Sequence, residues 1–275
     1  MPRKESVSVK KHTLKKKAVA KVKKATLKVQ EMELPLHMLL PNLATIVALC
    51  MGLSAIRFSF QGRMHAAVLA LLAAAFFDAV DGRLARLLKA ESEFGAQFDS
   101  LSDFAAFGVA PAVILYISTL HALPKWGWTF CLFFSVCQAI RLARFNAHLQ
   151  QAKRKLPANF FVGVPAPMGA LIALYPTFIE FVTHSQLHPI VHMIGLLVAG
   201  CFTVSRIPTY SLKSIHITQG MRRPVLIGAG FTIAAVINAT WPTLLFATTL
   251  YLISIPFSWI QFRSMRHSQK WPKFS

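Results

Sequence analysis

Residues 78–103 read DAVDGRLARLLKAESEFGAQFDSLSD, and they hold every aspartate of the chain: Asp78, Asp81, Asp99 and Asp103. The flanking sequence is apolar and basic, so four acids gathered in 26 residues need a physical reason. Helical spacing supplies part of it. Asp78, Asp81, Gly82 and Ala85 fall at i, i+3, i+4 and i+7, which is one face of a helix. Gly95, Asp99 and Asp103 follow at four-residue steps and line a face of a second helix. With the loop from Arg86 to Phe94 joining the two helices antiparallel, four carboxylates are expected to converge across their interface.

Crowded carboxylates repel one another, and a divalent cation removes that cost. All-oxygen ligands suit hard ions such as Mg²⁺, Mn²⁺ or Ca²⁺ better than zinc. A plainer reading makes these acids helix caps and loop residues paired with Arg83, Arg86 and Lys89. That reading serves for one carboxylate pair. Four in register, beside a glycine that lets a ligand approach the backbone, favour metal.

The chain has 275 residues, 55% hydrophobic and only 15% charged, with a mean hydropathy of +0.50. Soluble domains carry more charge. Several runs approach the ~20 apolar residues that a helix needs to cross a bilayer. The expected fold is therefore all-α, a polytopic membrane protein with about eight transmembrane helices. No signal peptide is apparent, because the N-terminus opens with a polar basic stretch. The net charge of +20 points to an anionic membrane surface rather than to nucleic acid. Cys50, Cys131, Cys137 and Cys201 sit in apolar segments without metal spacing and read as small buried hydrophobes.

Three regions follow from the pattern: a basic tail over 1–33, a transmembrane domain over 34–262, and a basic C-terminal tail over 263–275. The first holds eleven Lys/Arg and three acids, and suits either an amphipathic helix on anionic lipid or a disordered tail. Eight apolar segments are expected near 38–60, 65–89, 96–120, 126–147, 161–183, 189–207, 224–240 and 242–262. Arg83, Arg86 and Lys89, then Lys153 to Lys155, then Lys213, Arg222 and Arg223 load alternate loops with positive charge. The positive-inside rule then places both termini and the aspartate stretch on the cytoplasmic side. An ionisable residue inside a span is a functional candidate because an unpaired one costs several kcal/mol.

Other candidates are weaker. His184, His188 and His192 have helical spacing, but Pro189 interrupts them and they read as outer-loop histidines. Glu180 is expected to snorkel to water. No phosphate-binding glycine loop, nucleophile elbow or His-Glu-x-x-His pair is present.

The central stretch, written D-x2-D-G-x2-A-R-x8-G-x3-D-x3-D, resembles the signature of the CDP-alcohol phosphatidyltransferase family at eight fixed positions. PNLAT (41–45), DSLSDFAAFGVAPA (99–112), RLARFN (141–146) and NFFVGVPAP (159–167) are similar to its bacterial phosphatidylserine synthase branch. This resemblance implies transfer of a phosphatidyl group from CDP-diacylglycerol to L-serine, giving phosphatidylserine and CMP. It further implies that Asp78, Asp81, Asp99 and Asp103 hold two divalent ions, Mg²⁺ or Mn²⁺, with Asp103 also the base. Asp78, Gly82, Ala85 and Arg86 then meet CDP-diacylglycerol, the small residues admitting the nucleotide. Arg86 either pairs a phosphate or braces an aspartate.

A selective serine pocket needs a cation for the carboxylate. Arg141, Arg144 and Asn146 are the candidates for serine or phosphate binding, since the planar guanidinium grips either anion with two bonds. A homodimer is expected by analogy with the family. The open alternatives are another acceptor (choline, inositol or glycerol phosphate), a membrane prenyltransferase, or a metal transporter.

Overall fold

The computed structural model describes residues 40–88, 90, 92–150, 160–205, 208–210 and 222–268. The basic segment 1–33, residues 153–155, Lys213 and residues 269–275 lie outside the described residues.

Three helices build the site. α1 (Leu40–Phe60) starts as Pro41-Asn42 leads one to expect, with proline in the first turn. α2 (Met64–Leu87) runs back after a tight turn in which Gly62 takes φ +70. α3 (Glu93–Asp103) is capped by Ser92, whose hydroxyl accepts the Gly95 N–H at 3.0 Å. α1 packs along α2 and along α3 and its continuation, so it is the common neighbour of the two acid-bearing helices.

Beyond Asp103 the helix changes its winding. Phe104–Val109 is a π-helix, and α4 (Ala110–Ser118) completes a single span, Glu93–Ser118. Pro111 is the local cause: it has no N–H to offer the Phe107 carbonyl four residues back. Side chains of α5 (Trp126–Gln150) meet the carbonyls left over. Gln138 Nε2 lies 3.4 Å from the Phe107 carbonyl, and Ser135 Oγ donates to the Gly108 carbonyl at 2.9 Å. Gln138 is fully buried and also reaches the Ala166 carbonyl at 3.4 Å.

After α5, β1 (Phe160–Val162) pairs antiparallel with β2 (Pro208–Tyr210), Phe160 opposite Tyr210 and Val162 opposite Pro208. Pairing satisfies extended backbone at the entry to an apolar helix. Gly163 then turns the chain at φ +77, and a Cβ there would stand 2.9 Å from the Ser205 carbonyl. α6 (Ala166–Ala173) and α7 (Tyr175–Thr183) form one bent unit with a 47° break, because Pro176 cannot donate to Ile172. α8 (Pro189–Val204) packs against α5 and α6. α9 (Arg222–Asn238) and α10 (Thr240–Ser268) follow, the last passing the expected tail boundary at 263.

Among the described residues, five helices are long and apolar enough to cross a membrane, six if the bent pair is one span. The chain is an integral membrane protein, and its described residues are all-helical apart from the short ladder and the connecting turns. The expected count of eight exceeds this because α9 has only 17 residues and α8 only 16. At ~1.5 Å per residue each is about 25 Å long, short of the ~30 Å hydrocarbon core.

The reading of His192 as a loop residue is corrected. His192 is fully buried, with Nε2 3.4 Å from Glu180 Oε2. Glu180 keeps 20% of its side chain accessible, and its Oε1 accepts the Leu187 N–H at 2.8 Å. His188 caps α8 by accepting the Ile190 N–H. Cys131 and Cys137 are buried as expected, whereas Cys50 and Cys201 are exposed on the apolar surface.

Candidate active site

The site lies where the last turns of α2 face α3. Asp78, Asp99 and Asp103 each offer a carboxylate oxygen, and these atoms lie within 4.8 Å of one another. Twice a metal–oxygen distance of about 2.1–2.5 Å spans 4.2–5.0 Å, so the triad matches the reach of one hard cation. All three side chains are half-buried, which leaves them reachable. Three anionic oxygens this close are a donor set for a divalent ion.

The fourth aspartate lies outside this 4.8 Å group, though close enough for its charge to act on Asp99. Asp81 is 4% exposed, and its Oδ2 accepts the Thr45 hydroxyl at 2.6 Å. The predicted convergence of four carboxylates thus becomes three, with the fourth fastened to α1. The reason is geometric: Asp81 is three residues from Asp78, about 60° around the helix, which turns it toward α1.

Other predicted residues separate in the same way. Gly82 is exposed, and a Cβ added there meets nothing within 4 Å, so its surface is open to a ligand. Ala85 is half-buried on the same face. Arg86 braces neither an aspartate nor a second helix here; its Nε donates to the Gly82 carbonyl at 2.8 Å. Gly95 serves packing, since a Cβ would lie 3.2 Å from Asn42 Oδ1 of α1.

Arg141 of α5 faces the triad, its charge acting on Asp78 and Asp103. Its Nη1 is buried and has no hydrogen-bond partner. A buried guanidinium N–H without an acceptor is costly, so it marks a place for an anionic oxygen. Arg144 is exposed and donates to the Val204 carbonyl at 2.7 Å. Asn146 Oδ1 accepts the Ser100 hydroxyl at 3.0 Å, beside a cavity of about 380 Å³ that also touches Gln97 and Phe104.

Thr45 and the π-helix escaped the reading of residues. The signals were present, in the PNLAT stretch and in Pro111, but neither states its partner.

Two helices carrying spaced aspartates, with an open glycine surface and Arg141 opposite, bring together residues that could hold a metal ion. The chain belongs to the CDP-alcohol phosphatidyltransferase family, which it matches over residues 38–204. Residues 221–256, in α9 and α10, match the family model CDP-alcohol phosphatidyltransferase 2.

The chain is 35% identical to the CDP-diacylglycerol–serine O-phosphatidyltransferase of Mycobacterium leprae (strain TN), over 85% of this chain and 76% of that protein. It is 36% identical to the protein so named from Mycobacterium tuberculosis (strain CDC 1551 / Oshkosh), over 80% and 78%. The one from Bacillus subtilis (strain 168) is 36% identical over 50% of this chain and 75% of its own length.

Proposed function

We propose that this chain transfers the phosphatidyl group of CDP-diacylglycerol to the hydroxyl of L-serine, giving phosphatidylserine and CMP. The convergence of Asp78, Asp99 and Asp103 beside Arg141 carries the chemistry. The names of relatives similar over most of the chain carry the choice of serine.

Asp78, Asp99 and Asp103 hold the metal, two ions with Asp81 completing the shell, and Mg²⁺ or Mn²⁺ by the hardness of the oxygens. Bound there, metal supplies charge for the diphosphate and for the departing CMP. The residues do the rest. Gly82 and Ala85 admit the nucleotide close to α2. Asp103 accepts the proton of the serine hydroxyl as its oxygen attacks the phosphorus that bears diacylglycerol. The bond from that phosphorus to the CMP oxygen breaks, and CMP leaves with the electron pair. Arg141 Nη1 donates to an anionic oxygen, either of the diphosphate or of the serine carboxylate. Arg144 and Asn146 hold α5 in place instead of touching substrate.

The wider arrangement belongs to the same proposal. α8 and α9 bring the crossings to eight, both termini and the site lie on the cytoplasmic side of the cell membrane, the tails at 1–33 and 263–275 meet anionic lipid, and the chain forms a homodimer.

Purified protein offered CDP-diacylglycerol with serine, choline, inositol or glycerol phosphate in turn tests the acceptor. CMP release is expected with serine alone. Release driven equally by another alcohol would move the chain elsewhere in the family.

A further inference from the structure

Thr45 has a place that the chemistry above leaves unused. It lies on α1, is 5% exposed, and touches both acid-bearing helices through different atoms. Its Oγ1 is 2.6 Å from Asp81 Oδ2 and 3.1 Å from the Pro41 carbonyl of its own helix. A hydroxyl has one proton, and an ionised carboxylate can only accept. The shorter contact to the charged acceptor therefore takes that proton. On the other side, the Ser102 hydroxyl donates to the Thr45 carbonyl at 3.3 Å. Ser102 is 3% exposed and directly precedes Asp103.

The result is a buried chain from Asp81 on α2, through Thr45, to the residue next to Asp103 on α3. Asp81 is outside the 4.8 Å triad, so something must fix where its carboxylate sits relative to an ion. With Oδ2 engaged by Thr45, Oδ1 is the oxygen left to reach the metal. Threonine also suits a buried position among apolar neighbours, because its methyl packs while its hydroxyl finds a partner.

We infer that Thr45 is a positioning residue for the metal site: its hydroxyl orients Asp81, and its carbonyl sets the height of α3 beside it. This rests on the metal-holding role of the aspartates. Removing a partner behind a metal ligand typically lowers affinity about 10–100-fold without removing the ligand.

The test uses full-length protein in detergent, with Mn²⁺ binding followed by the loss of the free-ion electron paramagnetic resonance signal. Thr45→Val keeps shape and loses the hydroxyl; Thr45→Ser keeps the hydroxyl and loses the methyl. The expected result is Mn²⁺ binding weakened about tenfold in Thr45→Val and restored in Thr45→Ser. Turnover of Thr45→Val should recover when Mn²⁺ is raised. If Thr45→Val does not survive purification, Thr45→Ala carries the same comparison. Unchanged Mn²⁺ affinity, or equal weakening in the serine variant, overturns the inference while leaving the metal site intact. Wild-type protein that binds no Mn²⁺ overturns the underlying metal reading instead.

Discussion

Arg144 Nη1 donates to the Val204 carbonyl at 2.7 Å, fastening α5 to the C-terminal end of α8. The last carbonyls of a helix lack partners within it and carry partial negative charge, so a guanidinium there satisfies both needs. Arg141, three residues earlier, leaves a buried N–H for a ligand. Sequence spacing treats the two arginines alike; the structure gives them different surroundings.

Kinetics should separate them. A hydrogen bond to a charged group is worth about 1.5–3 kcal/mol, so Arg141→Lys should raise the KM of serine or of CDP-diacylglycerol by roughly 10–100-fold. Arg144→Gln should lower the Tm in detergent and leave both KM values within about twofold. A shifted serine KM in Arg144→Gln at unchanged Tm would return Arg144 to the pocket.

The aspartates should differ in what they lose. Asp78→Asn and Asp99→Asn should cut turnover by about 10³-fold or more, since several kcal/mol of charge stabilisation go with the ion. Chelation should do the same to wild-type protein, reversed by Mg²⁺ or Mn²⁺. Asp103→Asn should lose about 10²–10⁴-fold in turnover but much less in CDP-diacylglycerol binding, as expected of a base. Binding lost in step with turnover would make Asp103 a ligand only.

Close approach of α1 to the π-helix yields a stability prediction. The added methyl of Gly52→Ala would sit 2.6 Å from Ala106 Cβ. Overpacking of this kind costs about 1–3 kcal/mol, so thermal unfolding in detergent should shift downward. An unchanged Tm would mean that α1 can move away freely.

The basic tail contributes none of the residues of the proposed site. Deleting residues 1–30 should leave turnover in detergent near normal and make binding to anionic vesicles weaker and less salt-dependent. A folded but inactive truncation would give the tail a catalytic part.

What the sequence made legible follows from local periodicity. Asp78, Asp99 and Asp103 were readable because helical spacing places them on faces, and two such faces meet across one short loop. Asp81 shares the helix of Asp78 and its spacing, but spacing does not show the third helix, whose Thr45 holds one of its carboxylate oxygens. Thr45 acts across 36 residues of sequence, so no local pattern names its partner. His192 was read as a loop residue because Pro189 breaks the helical pattern, yet Pro189 starts α8 and leaves His192 inside it, facing Glu180. Apolar composition marks α8 and α9 as crossings, and only their lengths of 16 and 17 residues keep them out of the five or six helices long enough to span.

The most direct measurement supplies labelled L-serine and CDP-diacylglycerol to purified protein with Mn²⁺, and follows both label in extracted lipid and CMP in solution. Equal molar amounts of lipid-bound label and CMP are expected, both absent with chelator and in Asp99→Asn. CMP formed without label in the lipid, or label transferred in the presence of chelator, would contradict metal-dependent phosphatidyl transfer to serine.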